Sequence, residues 1–352
     1  MWSGIQRMLA VVATALFLLL SNASAQGQLR WVKLAPFPEP EEELYGIAVN
    51  GKMYVLGGFG QGGAPEGLVY EYDPAGDKWT KKKPMPVPVH HQAMAVYQGK
   101  IWMFGGYNRP PNAEPVGWYP VDNAWQYDPA ADSWKALAPL PGKRGSAVAA
   151  EVGGKIYVIG GAIPQPNTKE TGVFPNRPAR ATGTNEVYDP ASNKWESRSP
   201  MPTARNHAYV GAVGGKIYVL GGRIGHTFIT VATNTDVVEE YDPATDSWGA
   251  IKAKMPTARS GGGYATSGGR IYAAGGEVQT PQFLGAFRAL EAYDPASNTW
   301  SLLPAMPLPR HGVAAAFIGN RLHLVSGHIT SGGAPDAQVA TGSHDVLEVP
   351  EK

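Results

Sequence analysis

The chain contains no cysteine. Disulfide bonds and thiolate chemistry are therefore excluded, and stability has to come from core packing and ring closure. Charge is also scarce. Asp, Glu, Lys and Arg make up 17% of the 352 residues and nearly cancel, leaving a formal net charge of +1. Nothing in that balance draws the protein to nucleic acid or to an acidic membrane surface. No phosphate-cradling loop, nucleophile elbow or zinc-binding helix signature occurs. Beyond residue 20 no apolar run is long enough to span a bilayer.

The one long apolar run is Met8 to Leu20, with Arg7 before it and Ala23-Ser24-Ala25 after it. A basic start, a short apolar centre and small residues at the end form a secretory leader cleaved after Ala25. An uncleaved anchor is the alternative, but the run is short against the roughly 20 residues of a membrane helix. The expectation is a leader over 1–25 and one domain over 26–352. The mature protein is expected to be a monomer in the periplasm or outside the cell, with no membrane span.

Glycine and proline are plentiful, at 44 and 31. They recur in register. Trp31, Trp79, Trp134, Trp195, Trp248 and Trp300 each precede a proline turn. Glycine pairs follow at Gly57-Gly58, Gly105-Gly106, Gly160-Gly161, Gly221-Gly222 and Gly275-Gly276, with Ser326-Gly327 as a sixth, altered copy. From the turn prolines Pro38, Pro86, Pro141, Pro202, Pro256 and Pro307 to the next pair is 19 positions each time. A period of roughly 50 residues means one supersecondary unit copied around an axis.

Each copy holds four strand signals. In the fourth copy Asn206–Gly211 is followed by a Gly214-Gly215 turn and the alternating run Lys216–Leu220. Val237–Tyr241 comes next, then the Asp242-Pro243 turn and Trp248. Four antiparallel strands per copy make a propeller blade. Trp31 opens the domain with a fourth-strand pattern, and His344–Pro350 closes it with a third-strand pattern. The reading is an all-β, six-bladed propeller whose N-terminal strand completes the C-terminal blade. The glycine pairs and tryptophans are read as scaffold, for close backbone approach and for filling between blades.

The copies differ almost entirely between the glycine pair and the third strand, from about ten residues at Phe59–Leu68 to over twenty at Ala162–Thr184. Strand alternation puts these long loops on the same face as the fourth-to-first connections, so a ligand site is expected there. Sixteen residues before the glycine pairs stand Glu41, Val89, Arg144, Arg205, Arg259 and Arg310. Next to them lie Glu42, Glu43, His90, His91, Asn206, His207, Ser260 and His311, and after the pairs come Tyr107, Arg223, Glu277 and His328.

Arginine forks at Arg144, Arg205, Arg259, Arg310 and Arg223 suit a carboxylate, sulfate or phosphate. The alternative is that the repeated arginines tie the blades together. His91, His207, His311 and Tyr107 are the further ligand-binding candidates. Trp118, Tyr119, Phe174, Phe228 and Phe283 are placed to stack on a sugar face. Glu41-Glu42-Glu43 reads as a solvated acidic run. The histidines show no local metal-ligand spacing, so neither a metal nor another cofactor is assigned. A site assembled from several blades would be invisible at this level.

The glycine pairs, with five Tyr–Trp pairs seven residues apart (Tyr72/Trp79, Tyr127/Trp134, Tyr188/Trp195, Tyr241/Trp248 and Tyr293/Trp300), resemble the kelch repeat. The resemblance covers essentially all of 26–352 and implies a six-bladed propeller that binds on its loop face. The partner would be a glycan, an acidic small molecule or another protein. The chain is also similar to bacterial periplasmic kelch propellers, which include N-acetylneuraminate epimerases. That likeness implies a second reading, a sugar isomerase with a glutamate and an arginine on the loop face. Glu277 matches the glutamate by position, with Arg223 or Arg288 as its partner. The copper-radical oxidases that carry kelch blades need a cysteine-linked tyrosine, so their chemistry is excluded.

Overall fold

A computed structural model describes residues 29–60, 63–280, 282–332 and 339–350. The expected leader lies outside the described residues. Six four-stranded antiparallel sheets follow one another along the described chain. Their innermost strands are Glu42–Val49 in blade 1, Ala93–Tyr97 in blade 2, Val148–Val152 in blade 3, Tyr209–Val213 in blade 4, Gly263–Ser267 in blade 5 and Ala314–Ile318 in blade 6. Trp31–Lys33 pairs antiparallel with His344–Glu348, with Trp31 opposite Leu347. The N-terminal strand thus completes blade 6, as its sequence pattern implies. Stitching the last blade from both ends pairs edges that an open array would leave bare. Among the described residues no helix is long and apolar enough to cross a membrane.

The core is divided into wedges between successive blades. One wedge packs Trp102 and Phe104 of blade 2 against Ile156, Val158 and Tyr188 of blade 3. Each large apolar side chain buried this way contributes about 1.5–3 kcal/mol. The outer strands are clamped by polar contacts. Tyr241 packs against Trp248 with ring centres 5.1 Å apart and donates to Asp246, while Trp248 Nε1 donates to Ser199 O of the preceding blade. The same Trp-to-carbonyl bond recurs at Trp79, Trp134, Trp195 and Trp300.

The glycine pairs join blades at the inner end. The second glycine donates to the carbonyl at the arginine position of the next blade, as Gly222 does to Arg259 and Gly276 to Arg310. A Cβ on Gly276, at φ +106°, would meet Ser260 O at 2.7 Å. The altered sixth copy keeps this bond, from Gly327 N to Glu41 O, and adds two more. Ser326, at φ 56°, accepts from Glu41 N and donates to Glu41 O through its hydroxyl.

The long loops are more ordered than a loop expectation suggests. In blades 2 to 5 each carries its own two-stranded ribbon, such as Arg223–Ile224 with Thr233–Asn234 and Glu277–Thr280 with Phe283–Ala286. These ribbons extend the face around the axis and build walls above it.

Candidate functional site

Two concentric sets of residues meet at the long-loop mouth. The residue entering each blade pairs with the residue after that blade's glycine pair. The couples are Glu42–Phe59, His90–Tyr107, Gly145–Ala162, Asn206–Arg223, Ser260–Glu277 and His311–His328. One position further along, Glu43, His91, Ser146, His207, Gly261 and Gly312 form an inner ring. All six adopt left-handed backbone, with φ between 51° and 67°. Their peptides are linked around the axis: Ser146 N to His91 O, His207 N to Ser146 O, Gly261 N to His207 O and Gly312 N to Gly261 O. Glu43, His91 and His207 are carried on this belt, and the other three positions are small.

Above the belt lies a cavity of about 370 Å³. One wall is charged and is made by Glu42, Glu43, Arg223, Glu277 and His311. The other is aromatic and is made by Phe59, Trp118 and Phe228. Trp118 stacks on Phe228 at 4.4 Å, with Tyr107 behind it at 5.6 Å. Tyr107 is fully buried and bonds to Thr227, so it supports the aromatic wall from behind. Tyr119 and Phe174 pack against each other, and Phe283 is exposed on its ribbon.

The charged wall is a chain of ion pairs. Arg223 Nη2 lies 2.7 Å from Glu277 Oε1, its Nε donates to Ser260 Oγ and its Nη1 to Thr227 O. Glu277 Oε2 accepts from Ser331 Oγ and Gly332 N and stands 3.9 Å from His311 Nε2. His311 Nε2 also faces Glu42 at 3.5 Å and Glu43 at 3.8 Å. Burial alone would raise the Glu277 carboxyl. His311, Arg223 and the bonds from Gly332 and Ser331 outweigh it and hold the group down to about 2. Burial likewise disfavours charge on His311, but Glu277, Glu42 and Glu43 push it up to about 10. His207 moves the other way, because burial and then Arg223 hold it well below the ordinary histidine range. Arg288, the other candidate partner for Glu277, instead donates to Met306 O.

The repeated arginines are placed elsewhere. Arg144, Arg205, Arg259 and Arg310 are each 3% exposed or less. Each pairs with a carboxylate of its own blade, namely Glu186, Glu239, Glu291 and Asp345. Each also donates to backbone carbonyls, as Arg205 does to Val219 O and Arg310 to Ser343 O. They span first to third strand inside a blade and line no part of the mouth cavity. A sequence signal accompanies them. The four blades with arginine carry an acid at the third-strand position, whereas the blades with Glu41 and Val89 carry Tyr70 and Trp125 there. Acid and arginine are present together or missing together.

The acidic run differs from a solvated one. Glu41, Glu42 and Glu43 are all buried, and Glu42 and Glu43 line the mouth cavity. Burial, then the nearby Glu66 and Glu39, push the Glu41 carboxyl up to about 8. His344 lies inside the third strand of blade 6, bonded to His323 and Ala35 O, away from the mouth.

Models of the kelch motif match residues 47–86, 88–141, 143–202, 204–248 and 258–307. A kelch-like protein, terF, from Aspergillus terreus is 31% identical over 61% of this chain and 45% of its own length. Kelch-like protein 25 of Xenopus tropicalis is 29% identical over 58% of the chain and 32% of its own. A human kelch repeat and BTB domain-containing protein, number 12, is 28% identical over 51% of the chain and 29% of its own. The chain therefore spans less than half the length of these relatives. In three dimensions the solved structure of YjhT superposes with a TM-score of 0.70 over 91% of this chain and 97% of that one, at 19% identity. At that identity the likeness is one of fold.

Proposed function

The chain belongs to the kelch-repeat family, and from the mouth of its propeller we propose that it is a binding module for a hydroxyl-rich ligand of monosaccharide size. The observation that carries this is one cavity lined both by the aromatic residues Phe59, Trp118 and Phe228 and by the charged residues Arg223, Glu277, His311, Glu42 and Glu43. A sugar presents an apolar C–H face and a rim of hydroxyls, which fits such a lining. The volume of about 370 Å³ is that of a small-molecule site.

Two features narrow the ligand. The arginines expected to recruit an anion are bound within their blades. Arg223, which does reach the cavity, has Nε, Nη1 and Nη2 all engaged. Three carboxylates face one guanidinium and one imidazolium, so a neutral or amino sugar fits better than an acidic one. The isomerase reading uses Glu277 as base. A carboxyl held down to about 2 is a weak proton acceptor at neutral pH, which favours binding over catalysis. Export by the leader over 1–25 completes the proposal.

The test is a titration of the protein with neutral, amino and acidic monosaccharides, followed by tryptophan fluorescence and calorimetry. Saturable quenching by a neutral or amino sugar, lost in Trp118→Ala, supports the proposal. Binding of acidic sugars alone, or of none of the panel, overturns it.

A further inference from the structure

The inner ring beneath the mouth cavity brings together Glu43, His91 and His207 from blades 1, 2 and 4, with their donor atoms all within 4.8 Å of one another. We propose that these three residues form a site for a divalent first-row transition metal, two imidazoles and one carboxylate on the propeller axis. The donor set is nitrogen-rich, which selects zinc, cobalt, nickel or iron(II) over magnesium and calcium.

Three independent features prepare the residues for this role. The first is the tautomer of His207. Asn206 Nδ2 donates to Arg223 O and His226 O, which turns its Oδ1 toward His207 Nδ1 at 2.5 Å. That oxygen can only accept, so Nδ1 carries the proton and Nε2 presents its lone pair. A second-sphere acceptor fixing the outer nitrogen is how proteins orient ligating histidines.

The second is His91. Its Nε2 is fully buried and has no hydrogen-bond partner, yet it points at Glu43 Oε2 from 3.2 Å. Its other nitrogen is in contact with His90 Nδ1. With Nδ1 engaged by His90, Nε2 is the nitrogen His91 has left to offer a metal, which would take the place of any proton shared with Glu43.

The third is space and charge. Glu43 and His207 line both the mouth cavity and a void of about 10 Å³ beneath it, beside Ser146, Gly261 and Gly312. That void is close to the size of one water-sized probe. Arg223 and His311 face three carboxylates, Glu42, Glu43 and Glu277, so the wall keeps one negative charge in excess to balance a cation. Metal–ligand bonds of about 2.0–2.2 Å require the donors to close in by roughly an ångström, within the reach of side-chain rotation. The small ring positions leave coordination sites open toward the cavity.

The test uses metal alone, so it stands apart from any sugar result. Chelator-stripped protein is titrated with Zn²⁺ by calorimetry and with Co²⁺ by absorption spectroscopy. One equivalent is expected, with visible Co²⁺ bands and a rise in melting temperature. Glu43→Gln and His207→Ala should abolish uptake. Asn206→Ala should weaken it about 10–100-fold, as loss of an outer partner does. His328→Ala, outside the triad, should leave it unchanged. X-ray absorption of the wild-type Co²⁺ complex needs no variant and should show imidazole scattering from two histidines. Absence of uptake, uptake unaffected by Glu43→Gln and His207→Ala, or a cobalt shell without imidazole would each overturn the proposal.

Discussion

Arg310 and Asp345 face each other at 2.8 Å with neither side chain exposed to solvent. The pair links the entry of blade 6 to its third strand, the strand onto which the N-terminal segment adds. Removing one partner leaves a buried charge uncompensated. Arg310→Met should therefore cost about 3–5 kcal/mol in urea denaturation. Arg310→Met combined with Asp345→Leu should recover much of that loss. Equal destabilisation in the single and double variants would show that the pair is not a unit.

The Glu277–His311 contact sets a pH window. His311 is raised from an ordinary 6.5 to about 10, so its contribution is complete below 6.5 and fades as pH climbs to 10. Glu277 is lowered from 4.5 to about 2, so its contribution is complete above 4.5 and fades as pH falls to 2. The stability difference between wild type and His311→Gln should peak between pH 4.5 and 6.5 and shrink toward both ends. Denaturation curves across that range measure it. A difference that does not vary with pH would contradict the ion pair.

Two glycines distinguish junction from turn. Gly276 holds φ +106°, and its Cβ would meet Tyr209 Oη at 2.4 Å and Ser260 O at 2.7 Å. Gly276→Ala should cost at least about 3 kcal/mol, combining backbone strain with a displaced blade junction. Gly268 sits at φ +55° with nothing within 4 Å of its Cβ. Gly268→Ala should cost only about 1 kcal/mol. Equal losses in urea denaturation would refute the junction role.

Trp118 belongs to the ligand wall. Trp118→Ala should weaken sugar binding about tenfold or more, which corresponds to about 1.4 kcal/mol. Its effect on urea stability should be smaller than that of Gly276→Ala, because Trp118 lies on a loop above the blades. Unchanged calorimetric affinity would remove it from the site.

The fold was legible because its signals are local. The 19-residue spacing from turn proline to glycine pair and the Tyr–Trp interval each lie within one repeat. The long-loop face followed from strand alternation, and the mouth residues from their register with the glycine pairs. The fate of the arginines needed one more comparison, with the third-strand acids Glu186, Glu239, Glu291 and Asp345, which rise and fall with them. The burial of Glu42 and Glu43 could not be inferred from an acidic run. It depends on ring residues from blades 2, 4, 5 and 6 closing over them.

The amino-acid sequence by itself determined six blades, the joining of the two terminal segments and the face that carries variation. Those properties arise from turn chemistry and strand period within some 50 consecutive residues. Only the tertiary structure decided that Glu43, His91 and His207 share the axis and that Glu277 meets both Arg223 and His311. Rotation about a closed ring brings together residues of different repeats. The angular position of each side chain on that ring is set by packing between blades, which no single repeat contains.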